Sequence, residues 1–193
     1  MKRSIAGGAL ALSVLLLGVA CSSKNGTNSS GFQGTPLTGA GATFPQPIYA
    51  SWFKAFRGVE PNAKINYQAI GSGGGVTQFT TQTVDFGASD APLKSSEAAA
   101  LPGGASSAIE IPTVLGGVAI AYNVQGLQTG LKLDGKTAAD IFLGKVKTWN
   151  DPEIASQNSG VNLPAKPIQI VHRSDESGTT NVFTKWLTKE SSE

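Results

Sequence analysis

The sequence predicts an α/β protein with a mainly parallel sheet. Short apolar runs are followed several times by a glycine-rich turn and then by a stretch whose apolar residues have helical spacing. Strand and helix units that alternate in this way favour a parallel sheet covered by helices. The composition agrees, because 193 residues with 40% hydrophobic and 15% charged side chains are typical of a globular protein.

Residues 1–20 are predicted to be a signal peptide that exports the protein. Lys2 and Arg3 precede an apolar run that is short for a membrane span and ends in small residues. Cys21 follows as the single cysteine, so disulfides are excluded. Lipidation of Cys21 is the leading interpretation, and ordinary cleavage nearby is the alternative. Residues 21–36 are rich in Ser, Gly and Asn and are predicted to form a flexible tether to the outer face of a membrane.

The first half of the chain contains three segments that resemble strands. The run LTGAGATFPQPIYASWFKAF predicts a strand from near Leu37 and then a helix, because Pro45 and Pro47 fall where a first helical turn tolerates proline. The run KINYQAIGSGGGVTQFTTQ predicts a second strand and a helix from near Val76, and VDFGASDAP predicts a third strand that stops at Asp90. The apolar residues of the first helix recur at helical spacing, namely Ile48, Trp52 and Phe56.

The second half repeats the pattern with longer apolar runs. IEIPTVLGGVAIAYN predicts one or two buried strands, GKTAADIFLGKVKTW predicts a helix and an exit loop, and IQIVHR predicts a strand. This strand leads into RSDESGTT. A final helix is predicted after this motif from one apolar stripe, made by Val182, Phe183, Trp186 and Leu187.

Donors for an anion follow the predicted strands, and the carboxyl ends of strands are where ligands gather in parallel sheets. Ser177, Gly178 and Thr179 lie at or just before the N-terminus of the last helix, whose unpaired N–H groups attract oxyanions. Arg173 would add a forked cationic donor, and Asp175 is most simply the residue that holds it. Taken alone, the Ser-Gly-Thr run is more simply an ordinary helix cap.

Two further loops offer similar donors, and one acid is placed among them. GATFP supplies the hydroxyl and backbone of Thr43 and the backbone of Phe44, while GSGGG supplies the hydroxyl and N–H of Ser72. Asp90 would repel an oxyanion unless that anion brings a proton to share, as phosphate does near neutral pH and sulfate does not. The alternative for Asp90 is a cap of the turn at Ala91.

Several other functions are disfavoured by the sequence. A charge of +2 is too small and scattered to suggest nucleic acid as a partner, and a single histidine and a single cysteine make a transition-metal site improbable. DFG and HRSD occur in the wrong order for a protein kinase. A secreted phosphatase or phosphotransferase, with Ser177 or Thr179 as nucleophile, lacks a plausible base or metal cluster. We therefore expect neither catalysis nor a cofactor.

The chain resembles the PstS-type phosphate-binding protein of the phosphate-specific ABC transporter. The resemblance covers residues 37–187 and rests on LTGAGATFPQPIYASWF, NYQAIGSGGGV, VDFGASDAPL, IPTVLGGVAIAYN, LDGKTAADIFLGKVKTWNDPEI and RSDESGTTNVFT. It implies a periplasmic-binding-protein-like fold of two lobes with mainly parallel or mixed sheets joined by a hinge. Residues 37–112 would begin lobe I and residues 113–193 lobe II.

The resemblance also implies a function and a site. The protein would capture inorganic phosphate in the periplasm or at the outer face of the cell membrane and deliver it to a membrane-embedded ABC permease. A phosphate sensor with the same fold is an alternative. The positions that correspond to phosphate-binding residues in the family are Thr43, Phe44, Ser72, Asp90, Arg173, Asp175, Ser177, Gly178 and Thr179.

Two features depart from the family pattern. Glu176 stands where the family usually has glycine, which adds a negative charge beside the predicted anion site. The chain also ends well short of the family's length, so we expect an incomplete N-terminal portion in which sheet edges and apolar helix faces lack cover. Alone, such a chain is expected to be marginally stable and to bind weakly.

Overall fold

The computed structural model describes residues 34–191, so the predicted signal peptide, Cys21 and most of the predicted tether lie outside the described residues. The elements in chain order are β1 (Leu37–Gly41), α1 (Gln46–Val59), β2 (Ile65–Ala69), α2 (Ser72–Thr80), β3 (Phe86–Ala88), α3 (Ser95–Ala99), a 3₁₀ turn (Ala105–Ser107), α4 (Gly135–Phe142), α5 (Pro152–Gln157) and α6 (Gly178–Glu190).

The three strands form one parallel sheet in the order β2-β1-β3. β1 is central, and its Ala40 is completely buried. Gly39 of β1 lies opposite Tyr67 of β2 and opposite Phe86 of β3. The predicted α/β class with a parallel sheet is therefore confirmed. Because all three strands run the same way, their carboxyl ends lie at one edge of the sheet.

Helices α1 and α2 cover opposite faces of this sheet. Tyr49 of α1 makes an edge contact with Tyr67 at a centroid distance of 5.3 Å, and Phe53 contacts Phe86 at 6.4 Å. The next residue of β3, Gly87, faces α2 instead, since a Cβ added there would lie 3.0 Å from the Cβ of Phe79 in α2. Successive residues of a strand point to opposite faces, so the two helices sandwich the sheet.

The second half of the described chain packs around α4 and α5. Its buried core consists of Ile141, Val146 and Ile154, with partly buried apolar residues around them. α6 packs on α4 through the rings of Phe142 and Phe183, whose centroids lie 5.0 Å apart. Packing against α4 fixes the direction of the α6 N-terminus, which carries the RSDESGTT motif.

Two strand predictions are wrong. Residues 109–123 and 168–173 have no regular strand structure, and the isolated bridge recorded in the described residues joins Thr148 to Pro167. A strand is stable when a neighbouring strand satisfies its N–H and C=O groups, and within residues 34–191 neither segment pairs with a strand of the sheet. The pairing beside the bridge stops at Ile168, whose N–H donates to the Lys147 oxygen at 2.8 Å. The side chains of Leu115 and Val171 are accordingly 98% and 84% exposed.

The start of α2 also differs from the prediction. The helix begins at Ser72, four residues before the predicted start near Val76, so three consecutive glycines are helical. None of the helices in residues 34–191 is long and apolar enough to cross a membrane. The predicted boundary between two lobes at residue 112 stays a prediction.

Candidate anion-binding site

Four loops meet at the carboxyl edge of the sheet. Thr43 lies two residues after β1, Ser72 opens α2 three residues after β2, and Asp90 lies two residues after β3. The segment before α6 lies against the same edge, because Arg173 reaches Thr43 and Thr179 reaches Asp90. Contacts join most of the predicted site residues in two groups, one made of Thr43, Arg173 and Asp175 and the other of Ser72, Asp90, Gly178 and Thr179.

Arg173 is held by its neighbour and reaches across to the first loop. Its Nε donates to Asp175 Oδ1 at 2.6 Å, its Nη2 donates to the other oxygen of Asp175, and its Nη1 donates to Thr43 Oγ1 at 3.0 Å. The hydrogen bond with Asp175 raises the pKa of Arg173 and lowers the pKa of Asp175. Because Thr43 Oγ1 accepts from Arg173, its own proton remains free to be donated.

Asp90 connects β3 to the N-termini of both α2 and α6. Thr179 Oγ1 donates to Asp90 Oδ2 at 2.8 Å, and the Asp90 N–H donates to Ser72 Oγ at 3.2 Å. The Ser72 hydroxyl is buried, and since it accepts from Asp90 it also keeps a proton to donate. The Thr179 hydroxyl, by contrast, gives its proton to Asp90, so the donor that Thr179 would have left for an anion is its backbone N–H.

Gly178 is the point at which the two helix N-termini touch. A Cβ added at Gly178 would lie 2.2 Å from Ser72 Oγ and 2.8 Å from Asp90 Cβ, so no larger residue fits. Ser177 is the buried N-cap of α6, and its Oγ accepts from the Thr180 N–H at 3.2 Å. The N–H groups of the first helical residues, which include Gly178 and Thr179, have no partner within the helix. The helix end therefore combines a cap with donors for an anion.

Phe44 takes a different position from the other site residues. Its ring is 41% exposed and lies against Gly116, where an added Cβ would be 2.5 Å from the ring. The backbone of Phe44 stays beside Thr43 by chain connectivity. The role predicted for that backbone as a donor stays a prediction.

Tyr67 is a residue of this edge that sequence reasoning missed. Its hydroxyl donates to the carbonyl oxygen of Ala42 at 2.6 Å, one residue before Thr43. Burial raises the pKa of the Tyr67 phenol, and the nearby Tyr49 and Asp90 act in the same direction. The neutral phenol therefore stays a donor and fixes the loop that carries Thr43. Tyr67 is half-buried in β2, and no local signal in the sequence indicated its partner.

Glu176, predicted to add a negative charge beside the anion site, lies on the N-terminus of α2. Its backbone oxygen accepts from the Gly73 N–H at 3.0 Å, and its Oε2 lies 1.9 Å from where a Cβ of residue 73 would be. Asp175 Oδ2 lies 2.6 Å from where a Cβ of Gly71 would be. Within residues 34–191, no group of three or more His, Cys, Asp or Glu residues is placed to hold a metal ion.

Comparison with known proteins identifies related chains. The chain is 49% identical over 162 residues to the phosphate-binding protein PstS of Pasteurella multocida, covering 83% of this chain and 45% of that protein. It is 47% identical over 162 residues to PstS of Haemophilus influenzae, covering 83% and 47%, and 46% identical over 152 residues to PstS 3 of Mycobacterium leprae, covering 78% and 41%. The chain thus spans less than half the length of these relatives, and the predicted resemblance to PstS-type proteins is confirmed.

A structural likeness and a family match agree on the fold. A phosphate ABC transporter substrate-binding protein from Clostridium perfringens, solved with bound phosphate, superposes with a TM-score of 0.59 at 23% identity, covering 79% of this chain and 56% of that one. At this identity the likeness concerns the fold alone, and it confirms the predicted periplasmic-binding-protein-like class. Residues 24–192 match the PBP superfamily domain. The chain therefore belongs to the PBP superfamily.

Proposed function

We propose that this protein is an extracytoplasmic solute-binding protein that captures inorganic phosphate. The observation that carries the proposal is the meeting of Thr43, Ser72, Asp90 and Arg173 at one edge of the sheet, beside the N-terminus of α6. These groups come from four separate parts of the chain. Their common property is that they can bind a small oxyanion, and the names of the relatives point to phosphate.

The donor set suits a tetrahedral anion. Thr43 and Ser72 each accept a hydrogen bond from within the protein and so have a hydroxyl proton left to donate. Arg173 adds a permanent positive charge that its pairing with Asp175 holds in place. The N-terminus of α6 adds N–H groups and the positive end of the helix dipole.

Asp90 makes this set selective. Its Oδ2 accepts from Thr179, which leaves Oδ1 to accept a further hydrogen bond. A phosphate O–H can supply that bond, whereas sulfate at neutral pH has no proton and faces the carboxylate charge directly. Delivery to an ABC permease and attachment to the membrane through a lipidated Cys21 complete the proposal. Both rest on the resemblance to the relatives and on the sequence.

Competitive titration tests this proposal. We expect phosphate to bind the chain about 10- to 100-fold more tightly than sulfate, because sulfate would leave the Asp90 carboxylate unpaired beside a second anion. Calorimetry or NMR titration at neutral pH measures both affinities, and the ratio is informative even when absolute binding is weak. Equal affinities for the two anions would contradict the role assigned to Asp90, and binding of neither anion would overturn the proposed function.

A phosphotransferase or phosphatase is the second candidate, and one observation favours it. The 2.8 Å hydrogen bond from Thr179 to Asp90 is the contact that a hydroxyl nucleophile and its base would make. We expect no phosphate release, since Ser177 is committed to capping α6 and the bond from Thr179 serves, in this proposal, to hold the Asp90 carboxylate in place. Release of phosphate from a simple phosphate monoester, lost in Thr179→Val, would support catalysis instead.

A further inference from the structure

We propose that Glu176 is a specificity-determining residue that biases the site towards the singly charged form of phosphate. The proposal rests on the proposed function, because it concerns the charge of the anion that the same site takes. The carboxylate of Glu176 lies at the N-terminus of α2.

The side chain of Glu176 runs across the first turn of α2. Its Oε2 and Cβ lie 1.9 and 2.4 Å from where a Cβ of residue 73 would be. The Glu176 side chain therefore occupies space that is open because residue 73 is glycine. The bond from the Gly73 N–H to the Glu176 carbonyl oxygen, at 3.0 Å, fixes the backbone of the loop against the same turn. The carboxylate is thus placed at the positive end of the α2 dipole by both its backbone and its side chain.

This position adjoins the candidate site. Gly73 follows Ser72, the hydroxyl of which contacts Asp90 and Gly178. A carboxylate at the α2 N-terminus offsets the partial positive charge that the helix end would otherwise direct at an anion held near Ser72. The loss of attraction is proportional to the charge of the anion, so a dianion loses about twice as much as a monoanion.

Most of the charged groups around Glu176 pair with one another. α2, the helix beneath it, contains no ionisable residue between Ser72 and Thr80. In the preceding segment Arg173 is paired with Asp175. A cavity of about 700 Å³ beside Glu176 is lined by further charged residues of α3 and α6 and their flanks, namely Lys94, Glu97 and Lys185. Lys94 and Glu97 pair with each other at 3.2 Å.

A charge-removing variant measured at two pH values tests the proposal. Glu176→Gln keeps the shape of the side chain and the backbone bond to Gly73, and it removes the negative charge. We expect the variant to bind phosphate about two- to fivefold more tightly than the unmodified protein at about pH 8.5, where the dianion predominates. At about pH 6, where the monoanion predominates, the gain is expected to be smaller than about twofold.

The matched control is Glu153→Gln, which removes the same charge on α5 and is expected to leave phosphate affinity unchanged at both pH values. An unchanged or weakened affinity in Glu176→Gln, or a gain that is equal at the two pH values, would overturn the proposal and leave the proposed function intact. Failure of both proteins to bind phosphate at either pH would instead overturn the proposed function, and this inference with it.

Discussion

Replacing Gly75 with alanine is expected to destabilise the protein by more than about 3 kcal/mol. A Cβ at this position of α2 would lie 2.4 Å from Gly41 Cα, 2.8 Å from the Ala40 oxygen and 3.0 Å from the Ala88 oxygen. These are backbone atoms of β1 and β3, which cannot move aside without breaking the parallel sheet. Urea unfolding followed by circular dichroism measures the change, and loss of the cooperative transition counts as the expected result in a chain of low stability.

Gly58→Ala is the matched control for this prediction. Gly58 lies in α1, and a Cβ added there would meet no atom within 4 Å. Alanine lowers the conformational entropy of the unfolded chain, so this variant is expected to be stabilised by up to about 1 kcal/mol. If the free energy of unfolding changes by a similar amount in the two variants, α2 does not approach β1 as closely as the structure shows.

The order of elements at the start of the fold could be predicted because its signals are local. Alternating apolar residues, glycine turns and the two prolines predicted β1, α1, β2 and β3 in the correct order. The spacing of Ile48, Trp52 and Phe56 identified α1 as a helix but not the face that it buries. All three are 37–44% exposed, and the residues that pack on the sheet are Tyr49 and Phe53.

The second half was predicted less well because strands depend on partners elsewhere in the chain. Residues 109–123 are apolar enough for buried strands, and yet Leu115 is almost fully exposed. Intrinsic preference does not supply the neighbouring strand that pairs the backbone. Helices satisfy their own backbone groups, so α6 formed where its stripe and its Ser177 cap predicted.

Contacts within one segment of the candidate site could be inferred, while contacts between segments could not. The pairing of Arg173 with Asp175 spans two residues and follows from charge and proximity. The bond from Tyr67 to Ala42 and the placement of Glu176 over Gly73 join residues far apart in the sequence, and only the fold brings them together. Which of these groups face an anion stays a prediction, and the sequence did not indicate how they satisfy one another.

Asp90→Asn is expected to abolish most of the preference for phosphate over sulfate, reducing it about 10- to 100-fold. Asparagine has nearly the same shape and can still accept the hydrogen bond from Thr179 Oγ1, so the contact between β3 and α6 is retained. Its amide can present N–H groups to the anion, where the carboxylate presented an acceptor. Phosphate then loses the partner of its O–H, and sulfate loses the repulsion that excluded it.

Asp85→Asn provides the comparison, because the same change is made at the opposite end of the same strand. Asp85 precedes β3 and its Oδ2 accepts from the Thr38 N–H at 2.7 Å, a bond that an amide oxygen can also accept. We expect Asp85→Asn to leave the ratio of phosphate to sulfate affinity unchanged, and titration of both anions against both variants decides the matter. If the two variants change the ratio equally, net charge alone controls selectivity. If neither changes it, the donors of Thr43, Ser72 and Arg173 bind an oxyanion without regard to its protonation, and Asp90 serves to hold Thr179 in place.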